Sequence, residues 1–456
     1  MIGLRLTLAA ALAASAAAPA APPEAELAAR VRDEIRFSWN AYRTIAWGHD
    51  EAKPVSRTAR DWYGATSLLM TPVDALDTLL LAGLKTEADD AKALILEKLS
   101  FDRDVSVKNF EITIRLLGGL LSGYQMTGDR RLLALAEDLG TRLLPAFGSR
   151  TGMPYMFVNL KTGKVDGRES NPAEIGTLVL EFGTLSRLTG KPVFFDRARN
   201  ALSALYERRS KLGLVGEQID VETGEWTART SHVDGGIDSY YEYLVKCARL
   251  FGDSGCADMA KESLRAIDAH LAEDTPTGLW YGAVNMTTGK REGSTFGALS
   301  AFLPAVLVLA GDLPRARRLQ DSCYRMWTLH GVEPEAIDYR TMQVTDARYP
   351  LRPEIMESAF YLYRATHESA YRDMGRRFFD DLRRCCRVDA GGGYTVLENV
   401  VTGKKGDLMP SYFLAETLKY LYLLFAPEDT LDLGRVVFNT EAHPLRRLPS
   451  DRKKPE

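Results

Sequence analysis

The sequence predicts an all-α protein, an (α/α)7 barrel in which seven helical hairpins form a closed toroid with short β-hairpin loops at one end. Three observations predict it. A helix–turn–helix unit recurs at a near-constant period, each unit pairs a wholly apolar helix with an amphipathic one, and strand signals are confined to one point of the repeat.

The repeat is read from YQMTGDRRLLALAEDL around Gly128, SRLTGKPVFFDRARNAL around Gly190, ARLFGDSGCADMAKESL around Gly252 and LVLAGDLPRARRLQDSC around Gly311. YRATHESAYRDMGRRFF around Thr366 is a fifth copy without the glycine, and LLLAGLKTEADDAKALIL around Gly83 is a degenerate earlier one. Successive turns lie 62, 62, 59 and 55 residues apart. Repeats of this length are the signature of stacked supersecondary units. Every copy but the fifth ends its first helix at a Gly, the residue best suited to a left-handed cap, and opens the second with an N-cap or charged turn.

The first helices, over 71–84, 108–126, 174–188, 238–251, 295–311, 354–368 and 412–426, are apolar nearly all round, as in LSAFLPAVLVLAG and LAETLKYLYLLF. That marks an inner ring buried on several sides, whereas the second helices keep their charges on one face and suit an outer ring. Six inner helices have an outer partner that follows them, and the long helix near 25–48 supplies the seventh by packing beside the last. An open superhelix of hairpins needs no such closing helix.

Two apolar runs flank a TG or ETG turn in MPYMFVNLKTGKV, GLVGEQIDVETGEWT, GLWYGAVNMTTGKR and GGYTVLENVVTGKKG, which reads as hairpin loops. They share a place in the repeat, so they should roof one end of the barrel.

The repeat overrides a length prior that would split 456 residues into about three domains. One domain is expected over 24–445, preceded by a signal peptide at 1–20 and followed by a solvated tail at 446–456. Leu6 to Ala18 is a run of small and apolar residues behind one positive charge, with Ala18-Pro19-Ala20 as a cleavage pattern, and is too short for a membrane anchor. Export to a periplasm or the medium is the expectation. A net charge of −3 with scattered Lys and Arg offers no footprint for nucleic acid or an anionic membrane. A neutral carbohydrate or other small molecule suits it better. Cys247, Cys256, Cys323, Cys385 and Cys386 form neither a disulfide framework nor a CxxC metal pattern, and at least one must be unpaired within the chain.

Asp74, Glu111, Glu174, Asp238, Glu354 and Glu416 each fall in the first turn or so of a different inner helix. In a toroid these positions face one mouth. Acids favour helix N-termini through the macrodipole, but NFEITIRLLGG, GIDSYYEYL, RPEIMESAFYLYR and SYFLAETLKYLYLLF set them among aromatic and aliphatic residues. A buried, unpaired carboxylate is expensive unless it binds something. Carboxylates interleaved with Tyr and Phe suit a sugar site containing a hard cation.

At these residues the sequence resembles glycoside hydrolase family 47, the class I α-1,2-mannosidases. The resemblance runs from AWGHDEAKPVSRTARDWYG and TPVDALDTL through NFEITIRLLGGLLSGY, AEIGTLVLEFGTLSRLTG, DSYYEYLVK and LRPEIMESAFYLYR to SYFLAETLKYLYLLF and VFNTEAHPL. It implies an inverting exo-α-1,2-mannosidase, dependent on Ca2+, acting as a monomer on a mannose-containing glycan. It further implies Glu111 as general acid, Glu354 as general base and Asp238 as the third catalytic carboxylate, with Glu111 and Asp238 open to exchanging roles. Thr440 is implied as the direct protein ligand of the ion. Asp74, Glu174, Glu357, Glu416 and Glu441 would hold its water shell or the sugar hydroxyls, Arg115 and Arg352 would balance charge, and Tyr412 would pack under the ring.

Three positions depart from the resemblance. ALSAFLPA, from Ala298 to Ala305, replaces HLVCFLPG, so a His is missing and Ala301 stands for a Cys; Cys323 should then be a free thiol. Such losses occur in the family's degradation-associated branch, which makes a weakly active or inactive mannose-binding protein the alternative reading. Gly236 stands where relatives carry a branch-selecting Arg or a Leu, implying a more open site.

Overall fold

The computed structural model describes residues 24–389 and 392–447. The signal-peptide reading and all but the first two residues of the expected tail lie outside them. Seven inner helices, Met70–Leu81, 109–127, 172–189, Asp238–Phe251, 298–310, Glu354–Thr366 and 413–425, form the ring. Their outer partners are Lys85–Lys98, Arg130–Leu143, Pro192–Glu207, Ser254–His270, Leu313–Thr328, Ser369–Cys386 and, for the last, the N-terminal Glu24–Ile45. The helix Met70–Leu81 also packs against 413–417, and the circle closes there.

The division into rings follows the sequence pattern. From Met70 to Leu79 every residue is buried, whereas Ser369–Cys386 buries a single stripe including Tyr371, Gly375, Phe378, Phe379 and Leu382. The inner-to-outer turns are left-handed at Gly128, Gly190, Gly252 and Gly311. In the fifth copy His367 takes that conformation with φ 57°, so the turn persists without the glycine.

Four inner helices are irregular near their starts, 298–310 opening as a 3-10 helix over Ala298–Phe302. The helix 109–127 contains a π-turn at Thr113–Leu117, 413–425 begins with one at Phe413–Thr417, and 172–189 breaks between Gly176 and Val179. Single π-turns recur at functional sites because they re-aim side chains; these two contain Arg115 and Glu416.

The hairpin loops cluster at the end where the inner helices begin. Phe157–Asn159 pairs with Val165–Asp166, Gln218–Asp220 with Trp226–Ala228 and Leu397–Asn399 with Lys404–Lys405, as expected. GLWYGAVNMTTGKR closes the same turn, with Asn285 N–H donating to the Lys290 carbonyl at 2.9 Å and Val284 bridging Arg291, and in addition Gly278–Tyr281 pairs back onto Ala272–Thr275 and Val284–Asn285 with Thr230–Ser231. A further hairpin, Ala336–Asp338 with Gln343–Asp346, escaped the pattern because Met342, at φ 59°, occupies the place of the TG glycine. The turn survives because Asp338 Oδ1 accepts from the N–H groups of Arg340 and Thr341, as Asn159 Oδ1 does from Lys161 and Thr162.

The reading of the cysteines needs one correction. Cys247 and Cys256 form a disulfide. Nine residues apart, they sit on opposite sides of the Gly252 turn, which folds the outer helix back onto the inner one. Cys323, Cys385 and Cys386 are free. No helix among the described residues is long and apolar enough to cross a membrane.

Candidate active site

A cavity of about 310 Å³ opens at the mouth where the hairpins cluster. That volume is at the low end for small-molecule sites. Glu111, Arg115, Glu174, Asp238, Arg352, Glu354, Glu357, Tyr412, Glu416, Thr440 and Glu441 all line it, so residues spread over more than 300 positions of sequence meet at one place. Asp74 does not. It is fully buried behind Arg115, with Oδ2 3.7 Å from Arg115 Nη1 and accepting from Ser411 Oγ, so it is out of reach of a sugar hydroxyl.

Arg115 organises one wall. Its Nε and Nη2 lie 3.1 and 3.0 Å from Glu111 Oε2, its Nη1 pairs with Glu441, and its guanidinium sits 5.2 Å from the Trp62 ring centre and 5.5 Å from that of Tyr412. Cation–π contact on both sides, with carboxylates at the rim, leaves the side chain little freedom. Tyr412 is itself anchored by donating to the Pro350 carbonyl at 2.6 Å.

Asp238 and Glu354 open their helices on the opposite side. Asp238 Oδ1 accepts from the Ser239 N–H at 2.8 Å, while burial pushes its pKa up to about 7 with help from Asp234 and Glu242. Burial drives Glu354 well above the usual carboxylate range against the pull of Arg352, and Glu354 Oε2 is buried without a hydrogen-bond partner. Glu335 grips Arg352 through both oxygens, at 3.2 and 2.6 Å.

The floor is the loop 439–443. Asn439 ties it down, with Nδ2 donating to the Ile114 carbonyl at 2.8 Å and to Glu181 at 2.7 Å, and Oδ1 accepting from the N–H groups of Glu441 and His443. Thr440 N–H donates to Tyr243 Oη at 3.3 Å, which in turn donates to Glu181 at 2.6 Å. Thr440 is thereby presented to the cavity beside Glu357, Glu416 and Glu441. Burial raises Glu441 to about 8 and Glu357 to about 7; it also holds Glu416 well above the usual carboxylate range, with Glu441, Glu354 and Glu357 adding repulsion.

Charge is unbalanced here. Glu111, Glu174, Asp238, Glu242, Glu354, Glu357, Glu416 and Glu441 line the cavity against Lys108, Arg115 and Arg352. Eight carboxylates facing three cations, two of them with an orphaned buried oxygen (Glu174 and Glu354), form a set that a hard, oxygen-seeking cation would complete. No His or Cys lines the cavity. The tight group Cys247, Asp253 and Cys256 is no rival metal site, since its two sulfurs are bonded to each other.

The family model for glycosyl hydrolase family 47 matches residues 34–447. The chain belongs to glycosyl hydrolase family 47. It is 40% identical over 448 residues to alpha-mannosidase I MNS4 of Arabidopsis thaliana, covering 92% of this chain and 70% of that protein. It is 38% identical over 453 residues to the human ER degradation-enhancing alpha-mannosidase-like protein 2, covering 91% and 77%. The structure superposes on an alpha-1,2-mannosidase from Trichoderma reesei with a TM-score of 0.86 at 27% identity, covering 94% of this chain and all of that one. The protein is thus a glycoside hydrolase of the mannose-trimming class.

Several residues of this family 47 enzyme's site went unread in the sequence. Lys108 pairs with Glu174 at 2.6 Å; burial alone would lift Glu174 further, and with that pairing it stands at about 7. The spacing Asp238, Glu242, Lys246 was legible as one helix face, and Lys246 does join Glu242 to Glu357 beneath the cavity. Trp62 lies in the motif AWGHDEAKPVSRTARDWYG without a role legible from it, and Glu335 had no local signal. Glu333 is fully buried with neither oxygen partnered, and burial, with Glu354 adding repulsion, holds its carboxyl well above the usual carboxylate range.

Proposed function

We propose that the enzyme hydrolyses terminal α-1,2-linked mannose with inversion, depends on calcium and is exported. The observation that carries this reading is the convergence of Glu111, Asp238 and Glu354, from three separate inner helices, on one cavity floored by Thr440. Inversion needs one carboxyl to protonate the leaving oxygen and another to take a proton from water on the opposite face of the sugar. Asp238, its pKa raised to about 7 by burial, is protonated far more readily than an ordinary carboxylate, and Glu111 is oriented by Arg115; together they supply the donor side. Glu354 accepts the proton of the attacking water as that water's oxygen bonds to the anomeric carbon and the glycosidic C–O bond breaks. Tyr412, rigidly held, packs under the ring.

Thr440, through its hydroxyl and carbonyl oxygens, would hold calcium, with Glu174, Glu357, Glu416 and Glu441 around it. When bound, the ion neutralises the carboxylate excess so that Glu354 can ionise, and offers a hard centre for mannose hydroxyls. Export is supported by the apolar N-terminal run and by the Cys247–Cys256 bridge, which suits an oxidising compartment. Incubating α-1,2-mannobiose with the calcium-loaded enzyme and following the anomers by proton NMR tests the reaction. β-Mannose is expected first; α-mannose first would mean retention, and no release would mean a binding protein.

Gly236 sets the expected branch preference. It lies on the cavity wall, and a Cβ there would approach only the Asn171 amide, at 3.8 Å, so the site is open beside Asp238. Its φ of 91° adds a cost absent from the sequence reading: a side chain there is strained, by roughly 1–2 kcal/mol. On a branched high-mannose glycan, the parent enzyme is expected to trim several arms at comparable rates. Gly236→Arg should be less stable, slower and more arm-selective, as seen by resolving the products chromatographically. A parent enzyme that trims one arm alone would place selectivity in the hairpin loops instead.

A further inference from the structure

Behind the Glu111 wall runs a string of charges that none of the roles above uses. Lys419 Nζ lies 2.7 Å from Asp77 Oδ1, Asp77 Oδ2 lies 2.7 Å from His443 Nδ1, and His443 Nε2 lies 3.3 Å from Asp74 Oδ1. Asp74 Oδ2 then faces Arg115 Nη1 at 3.7 Å, and Arg115 grips Glu111. Lys419, Asp77, His443 and Asp74 are all fully buried. The signs alternate along the whole string, which is how a row of buried ions avoids an uncompensated charge.

Both ring nitrogens of His443 face carboxylate oxygens, so the imidazole is held from two edges and cannot turn without losing one of the two contacts. The neighbouring helix is shaped around this ring. A Cβ on Gly118 would stand 3.0 Å from His443 Cδ2 and 2.6 Å from Asn439 Nδ2, and one on Gly119 would stand 3.2 Å from His443 Cε1. Two adjacent glycines weaken a helix interior. Here they follow directly on the π-turn that aims Arg115, and they admit the imidazole between the helices.

We propose that His443 is a positioning residue: clamped between Asp77 and Asp74, it fixes Asp74 against Arg115 and so sets where Arg115 presents Glu111 to the glycosidic oxygen. The proposal rests on Glu111 belonging to the proton-donor side. A sugar alkoxide leaves only with a proton, whereas a dinitrophenolate leaves without one, so misplacing the donor should slow the first far more than the second.

The test compares calcium-loaded enzyme with His443→Gln and the gentler, isosteric Asp77→Asn, on α-1,2-mannobiose and on 2,4-dinitrophenyl α-mannoside, with near-UV circular dichroism as the check on folding. On mannobiose, kcat should fall about 10–100-fold, the range for partners that orient a ligating or reacting group. KM should hold, and the aryl substrate should lose much less. Equal losses on both substrates, a change confined to KM, or failure of both variants to fold would overturn the proposal and leave the string a purely structural role. Glu111→Gln is measured alongside. If it shows no leaving-group dependence, the donor assignment fails and takes this proposal with it; if it shows one while His443→Gln and Asp77→Asn do not, the positioning role alone fails.

Discussion

Glu354→Gln and Glu111→Gln are each expected to lower kcat on α-1,2-mannobiose by at least about 10²-fold, the lower range for losing a general base or acid. The two losses should differ in kind. Glutamine at 354 keeps the volume at the cavity wall but cannot take the proton of the attacking water, so the loss should be the same for any leaving group. Glutamine at 111 still reaches Arg115 through its carbonyl oxygen, so Glu441 and Asp74 keep their shared guanidinium and the fold should hold. Mannose binding, measured by calorimetry, should survive in both. Near-wild-type turnover in either variant would remove that residue from the catalytic set.

The second large effect is expected from chelation. Stripping calcium should abolish turnover and lower the melting temperature, and adding it back should restore both. A ligand bound only by the folded state stabilises it by about 2.7 kcal/mol at a hundred times its dissociation constant. Thr440→Ala should weaken that response, and zinc should not replace calcium at an all-oxygen site. The stability gained should also depend on pH. Burial holds Asp238 and Glu174 at about 7, above their ordinary 3.8 and 4.5, so without the ion the folded state binds more protons than the unfolded chain. Stability from these groups is therefore present below about pH 4 and is lost as pH rises through about 7. The melting shift produced by calcium should be larger at pH 8 than at pH 5, and a flat or reversed dependence would detach the ion from these acids.

Much of this was legible before any coordinates. The period of the repeat and the contrast between apolar and amphipathic helices determine the toroid, because a helix apolar on every side has nowhere to lie but inside a ring. The recurrence of an acid near the start of six of the seven inner helices determines that those acids gather at one end of the barrel. The motifs around Glu111, Asp238, Glu354 and Thr440 determine the family.

Tertiary structure decided what depends on contacts between distant segments. The Met342 hairpin and the His367 turn are held by hydrogen bonds and packing that override a missing glycine. The Cys247–Cys256 bridge exists because the chain reverses at Gly252. Asp74, placed by its motif among the sugar-binding acids, proved to sit one layer behind, on a string that runs through His443 and Asp77 to Lys419. Helical periodicity places an acid on a face and at a depth, but which cation it meets there depends on charges hundreds of residues away. In a buried ring that balance of charge, more than any local pattern, separates a carboxylate that faces the substrate from one that holds another side chain still.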